Sequence, residues 1–207
     1  MSPAPRTAGR LVLATANQGK VAELVGLLGH RYQVEPRPAD LPETVEDGDS
    51  LDANARKKAI EVAGRTRTLA LADDSGLFVD ALGGRPGVHT ARFAGEHATS
   101  ADNVAALLAA MVDLREGPDR SARFVTVIAM AWPGGEVRTV QGEVAGVIVR
   151  RPAGDNGFGY DPVFSPDEGD GRTFAEMSPE EKQAISHRAR AVAAAVDLLD
   201  GPAAPKS

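Results

Sequence analysis

An α/β fold is what this sequence predicts, on three observations. Apolar runs of strand length alternate with segments of helical periodicity, two β-rich runs join as one long hairpin, and polar, glycine-bearing loops fall between these elements. The organising stretch is Leu69 to Gly76, where Leu69-Ala70-Leu71-Ala72 meets Asp73 and Asp74, followed by Ser75 and Gly76. Four apolar residues followed by turn formers read as a buried strand that stops at its polar end, at the edge of a sheet. Ligands of open α/β sheets bind beyond the carboxyl ends of strands, so two acids there suit a divalent cation or a general base. A plain turn with a capping aspartate would have the same letters.

In chain order, residues 1–9, rich in Pro, Ala, Ser and Thr, read as a disordered leader. Arg10 to Thr15 reads as a first strand, its Leu11-Val12-Leu13 run suggesting burial on both faces. Ala16-Asn17-Gln18-Gly19-Lys20 follows, and Val21, Leu24, Val25 and Leu28 recur at helical spacing. A small polar loop between a strand and a helix N-terminus offers free backbone N–H groups, a favourable dipole end and a lysine, which is what a phosphate needs. Its glycine spacing is not that of a Walker loop. Residues 35–50 form a proline-rich acidic loop with Glu43, Glu46, Asp47 and Asp49, a pattern that usually means solvated surface. A helix over residues 51–65 carries Leu51, Ala55, Ala59 and Val62 on one face, with Asn54 on the same side; a buried asparagine must hold a neighbouring loop or face a ligand.

Past the acid pair, residues 82–87 are a glycine- and proline-dense turn cluster, and Arg92 in the segment that follows could clamp a phosphate or form a surface ion pair. A helix over residues 100–114 has the stripe Val104, Leu107, Leu108 and Met111, which is core. Residues 124–132 and 136–149 are the two strands of a hairpin joined by Pro133-Gly134-Gly135, with Trp132 as packing beside the turn. Gly154 to Pro162 sets glycines close to Phe158 and Tyr160, so that a backbone can approach a flat ligand while the rings supply stacking area. Ser178-Pro179-Glu180-Glu181 is a capping box with proline at the first helical position, followed by Lys182. Ser186-His187-Arg188 precedes a last helix with the stripe Val192, Val196 and Leu199, and residues 201–207 read as a flexible tail after a single domain over residues 10–200.

Composition narrows the function. A formal net charge of -6 argues against a binder of polymeric nucleic acid, which needs a basic face, but not against a single nucleotide. The absence of cysteine excludes disulfides and thiolate zinc sites. No apolar run reaches the length of a membrane span, and the first nine residues lack the apolar core of a signal peptide, so the cytoplasm is the expected compartment.

Five ordered motifs resemble one family, the inosine triphosphate pyrophosphatases: Thr15-Ala-Asn-Gln-Gly-Lys20, Ala72-Asp-Asp-Ser-Gly-Leu77, Pro86-Gly-Val-His-Thr-Ala-Arg92, Gly157-Phe-Gly-Tyr-Asp-Pro162 and Ser186-His-Arg188. The resemblance spans Leu11 to Leu199. It implies a long mixed sheet with flanking helices in two lobes around a cleft, a homodimer, and magnesium-dependent (Mg2+) hydrolysis of ITP, dITP or XTP to the monophosphate and pyrophosphate. By the same resemblance, Thr15, Ala16, Asn17, Gln18, Gly19 and Lys20 would form the phosphate loop, Glu46 and Asp74 would hold the metal, and Asp74 would be the catalytic base. Ser75 would touch substrate, and Phe158, Gly159, Tyr160, Asp161, Lys182, His187 and Arg188 would line the base pocket. The sequence departs from the family's commoner residues at Ala16 (glycine), Val144 (tryptophan) and Arg151 (glutamate). Two other readings are a pyrophosphatase of septum-formation-inhibitor type, against which the Ser-His-Arg motif speaks, and a non-catalytic nucleotide sensor, against which the intact acid pair speaks.

Overall fold

The computed structural model describes residues 9–201, so the expected leader and tail fall, apart from Gly9 and Gly201, outside the described residues. Its centre is a seven-stranded mixed sheet. Strand β1 (Arg10–Leu13) leads into helix α1 (Gln18–Leu28), then β2 (Gln33–Glu35), α2 (Leu51–Thr66), β3 (Ala70–Val79), the short β4 (Pro86–Gly87) and α3 (Ser100–Ala110). The hairpin strands β5 (Ser121–Ala131) and β6 (Val137–Ile148), then β7 (Phe164–Pro166), α4 (Pro179–Ile185) and α5 (His187–Asp200) complete it. The sheet order is β2-β1-β3-β5-β6-β7, with β4 beside β3. β1 runs parallel to β2 and β3, and every other pair is antiparallel.

Side-chain alternation along β3 explains the layers, because successive residues of a strand face opposite sides. Ala70 and Ala72 pack with Ala55, Ala59 and Val62 of α2, and with Val125, Val127 and Ala129 of β5. Leu71 faces the other side, where Leu24 and Leu28 of α1 and Ala191, Val192 and Ala195 of α5 cover Leu11, Leu13, Ile128 and Met130. A third cluster joins Leu107 and Met111 to Phe124, Phe164 and Phe174. Leu24 and Leu28 have no exposed surface, and each contributes about 1.5–3 kcal/mol through burial.

The structure corrects several sequence expectations. β3 does not stop at Ala72 but continues through Asp73, Asp74, Ser75 and Gly76 to Val79, its ladder with β5 unbroken from Ala70 opposite Ala131 to Val79 opposite Ala122. Charges can sit inside a strand here because cations from other elements reach them, as described below. β1 ends at Leu13 rather than Thr15, and α1 starts earlier than its apolar stripe, with Asn17 as cap and Gln18, Gly19 and Lys20 in the first turn. α3 stops at Ala110, short of Leu114. His187 and Arg188 do not precede the last helix but begin it, capped by the Ser186 side chain. The capping box at Ser178 and Glu181 forms as the local pattern predicts.

Candidate active site

β1 pairs with β3 only as far as Leu13 opposite Leu71. Beyond that point β3 carries Asp73 and Asp74 onward without a parallel neighbour, and the first turn of α1 faces them. The rule that sites form past the carboxyl end of a strand therefore applies to β1, not to β3. Lys20 bridges this gap, its Nζ lying 3.2 Å from Asp73 Oδ2.

Asp73 has no exposed surface and is a junction for three cationic side chains or their partners. Its Oδ2 accepts bonds from Nε and Nη2 of Arg188 at 3.2 and 3.1 Å and from the Ser75 hydroxyl at 3.2 Å. Burial opposes its charge, yet Lys20, Arg188 and Lys58 together hold the carboxyl well below the usual carboxylate range. Its Oδ1 is buried and has no hydrogen-bond partner among the described residues. Asp73 is thus a fixed anion that organises cations, while its neighbour faces the opening.

Asp74 lies on the opposite side of the strand, toward α2. Lys58 of α2 places its Nζ 2.8 Å from Asp74 Oδ1, 2.8 Å from the Asp73 carbonyl oxygen and 3.1 Å from Glu46 Oε1. Burial pushes the Asp74 carboxyl up, and Lys58 and Lys20 pull it back only in part. Burial acts to lower Lys58, but Asp74, Asp73 and Glu46 outweigh it and keep the ammonium charged. Asn54, one helical turn before Lys58, accepts from Gly48 N–H at 2.8 Å and donates to Asp74 Oδ2 at 3.4 Å. It holds the acidic loop and also reaches the site. Glu46 and Asp74 thus converge on one ammonium, and this pair of hard carboxylate oxygens fits magnesium, which takes one or two carboxylates and leaves its other positions to water and phosphates.

A second knot lies at the other end. Lys182 Nζ is 2.5 Å from Asp161 Oδ2 and 2.7 Å from Glu23 Oε1, and Glu23 also accepts from Arg188 Nη1. Asp161 Oδ2 accepts in addition from the Phe158 N–H at 2.8 Å, which ties the glycine-rich loop to α4. His187 lies parallel to Phe124, ring centroids 4.6 Å apart, and burial above all, with Arg188 and Lys182 nearby, pushes its imidazole well below its ordinary value. It is a neutral, stacked wall.

These groups surround one cavity of about 310 Å³. Of the residues marked in the sequence, Asn17, Lys20, Glu46, Asp74, Ser75, Phe158, Gly159, Tyr160, Asp161, Lys182, His187 and Arg188 line it. Thr15, Ala16, Gln18 and Gly19 do not. The Thr15 hydroxyl accepts from Asn17 N–H at 3.2 Å and so shapes the turn from behind, while Gln18 bonds back to the Ala16 carbonyl. Arg92 bonds to the Glu46 carbonyl oxygen at 3.3 Å and steadies the acidic loop. Lys58 and Glu23 carry much of the electrostatics, and no motif marked them. The signal for Lys58 was a lysine at i+4 from Asn54 on an otherwise apolar helix face; Glu23 gave none. Residues 88–103 close the far side, where Asn103 fixes the wall by accepting from Ala94 N–H at 2.8 Å and donating to the Ala91 carbonyl at 3.0 Å.

The chain as a whole is similar to known proteins. The family model described as Ham1 family matches residues 11–198. A dITP/XTP pyrophosphatase of Symbiobacterium thermophilum is 47% identical over 191 residues, covering 92% of this chain and 94% of its own length. The structure of a HAM1 protein from Coxiella burnetii superposes with a TM-score of 0.82 at 38% identity, over 93% of this chain and 99% of that one. A nucleoside-triphosphatase / dITP/XTP pyrophosphatase from Mycobacterium abscessus gives a TM-score of 0.72 at 44% identity, over 90% and 98% of the two chains.

Proposed function

The chain belongs to the Ham1 family, and on that premise we propose that it hydrolyses the non-canonical purine nucleoside triphosphates ITP, dITP and XTP to the monophosphate and pyrophosphate. The observation that carries this reading is a single cavity with Glu46, Asp74 and Lys20 at one end and a ring-lined, cation-backed pocket at the other. A triphosphate and a flat base need those two ends at once.

In this reading the triphosphate lies against the first turn of α1, where Asn17 and Lys20 face the cavity and the helix dipole favours anions. Asp74, its proton affinity raised by burial, accepts the proton of the attacking water. The water oxygen bonds to the α-phosphorus as the bond to the bridging oxygen breaks, and pyrophosphate departs with its charge met by Lys20, which lines the cavity. Glu46 and Asp74 would hold magnesium, which when bound neutralises phosphate charge. Phe158 and Tyr160 flank the base, and Lys182, His187 and Arg188 read its edge. The reading extends to a homodimer working in the cytoplasm; no helix among the described residues is long and apolar enough to cross a membrane.

The test is to incubate the pure protein with magnesium and, separately, ITP, dITP, XTP, GTP and ATP, and to identify first products by chromatography. Monophosphate and pyrophosphate from the first three are expected. A nucleoside diphosphate with orthophosphate as first products would overturn the assignment.

A further inference from the structure

Gly19 sits in the first turn of α1, and a Cβ built on it would lie 2.6 Å from Cδ1 and 2.9 Å from Cγ of Phe158. The Phe158 ring rests directly on the helix backbone. Nothing else requires glycine there: Gly19 is not among the residues with positive φ, and alanine is the better helix former. Close approach of the ring accounts for the missing side chain.

The same ring is held from other sides. Lys182 Nζ lies 5.1 Å and Arg188 Cζ 5.5 Å from its centroid, and its backbone N–H is bonded to Asp161. From this geometry we propose that Gly19 is a specificity-determining positioning residue, whose missing side chain sets the depth of the Phe158 ring and, through it, the place of the purine relative to Arg188. The inference rests on the reading of Phe158 as a wall of the base pocket. It departs from the phosphate role that the loop motif implies for Gly19, which does not line the cavity of the proposed site but a separate one of about 260 Å³ between α1 and α4, shared with Phe158.

An added methyl would force a definite displacement. Ordinary carbon contacts lie at about 3.5–4.0 Å, so the ring would retreat by about 1 Å. The Asp161 bond restrains the backbone, so the ring itself must turn. It has space to do so, because Phe158 also borders the cavity of the proposed site and a third one of about 490 Å³ beside α3. A misplacement of that size can cost up to ~10²-fold in catalysis. The base pocket is what changes.

The experiment compares the full-length chain with Gly19→Ala, Phe158→Ala and the double variant. It reads kcat and KM for ITP and ATP, inhibition by tripolyphosphate as a probe without a base, and thermal unfolding. Gly19→Ala is expected to raise KM for ITP by about tenfold with a smaller change in kcat, and to narrow the preference for ITP over ATP. Tripolyphosphate inhibition should be unchanged, and the substitution should do nothing further in the Phe158→Ala background. Weakened tripolyphosphate inhibition with an unchanged preference would overturn the proposal in favour of a phosphate role, as would a full, additive loss in the Phe158→Ala background. If Gly19→Ala alone fails to fold, adding Phe158→Leu should restore folding, and failure of that pair would overturn the steric argument. A wild-type chain inactive on ITP, dITP and XTP would sink the proposed function instead; dialysis binding of ITP and of tripolyphosphate to the same variants would then still decide the role of Gly19.

Discussion

Lys58 Nζ and Asp74 Oδ1 lie 2.8 Å apart, with both side chains more than nine-tenths buried. A residue outside every recognised motif thus holds the proposed base in place, and the same ammonium reaches Glu46.

That junction predicts a paired stability effect. Lys58→Met leaves the Asp74 charge buried without its closest partner, so unfolding free energy should fall by about 3 kcal/mol, the low end for breaking a buried pair. Asp74→Asn in the Lys58→Met background removes the stranded charge and should recover part of that loss. Urea unfolding of the two single variants and the double variant measures it; strictly additive losses would mean that the pair is not coupled.

Asp74→Asn by itself keeps the shape of the side chain but removes proton acceptance and a negative charge. Turnover should fall at least ~10²-fold, with KM much less affected. Steady-state kinetics on ITP provides the measurement, and near-normal turnover would move the base elsewhere.

Asn54 holds the Gly48 backbone and touches Asp74, so it steadies both carboxylates proposed for the metal. Asn54→Ala should raise the magnesium concentration needed for half-maximal activity by about tenfold, the range typical of groups that orient ligands from behind. A magnesium titration of ITP hydrolysis decides it.

Arg188 makes four hydrogen bonds, to Asp73 twice, to Glu23 and to Ser75, out of the five N–H donors of a guanidinium. The remaining one, on Nη1, can meet the six-position carbonyl of inosine or xanthine but only another donor in adenine. Arg188→Ala should narrow the ratio of kcat/KM for ITP over ATP by at least ~10-fold, because a group built to pair rejects what cannot. Arg188→Lys should restore it only in part, lacking the planar fork. An unchanged ratio in Arg188→Ala would show that another group reads the six-position.

His187 is held neutral in the fold, its imidazole well below its ordinary value of 6.5. The unfolded chain therefore takes up a proton that the folded chain refuses as pH drops below 6.5. This stability component is fully present above that value and is lost on acidification, by at most about 1.4 kcal/mol per pH unit. Chemical unfolding of the wild type and His187→Gln from pH 7.5 down to 5 should give the shallower dependence in the variant; parallel curves would exclude His187 as the source.

What the sequence by itself determined is whatever depends on neighbours along the chain. The cap at Ser178, the apolar stripe of α2 and the Pro133-Gly134-Gly135 hairpin follow from spacing and turn chemistry within a few residues. The motifs also marked most of the cavity lining. Tertiary structure alone decided that β3 runs on through Asp73 and Asp74, that Lys58 serves two carboxylates, and that Glu23 links Lys182 and Arg188 across separations of 159 and 165 residues. By local rule an acid pair after four apolar residues ends a strand, since burying a lone charge is prohibitive. It continues here because cations from α1, α2 and α5 converge on it, and no local pattern can report a compensation that comes from other parts of the chain.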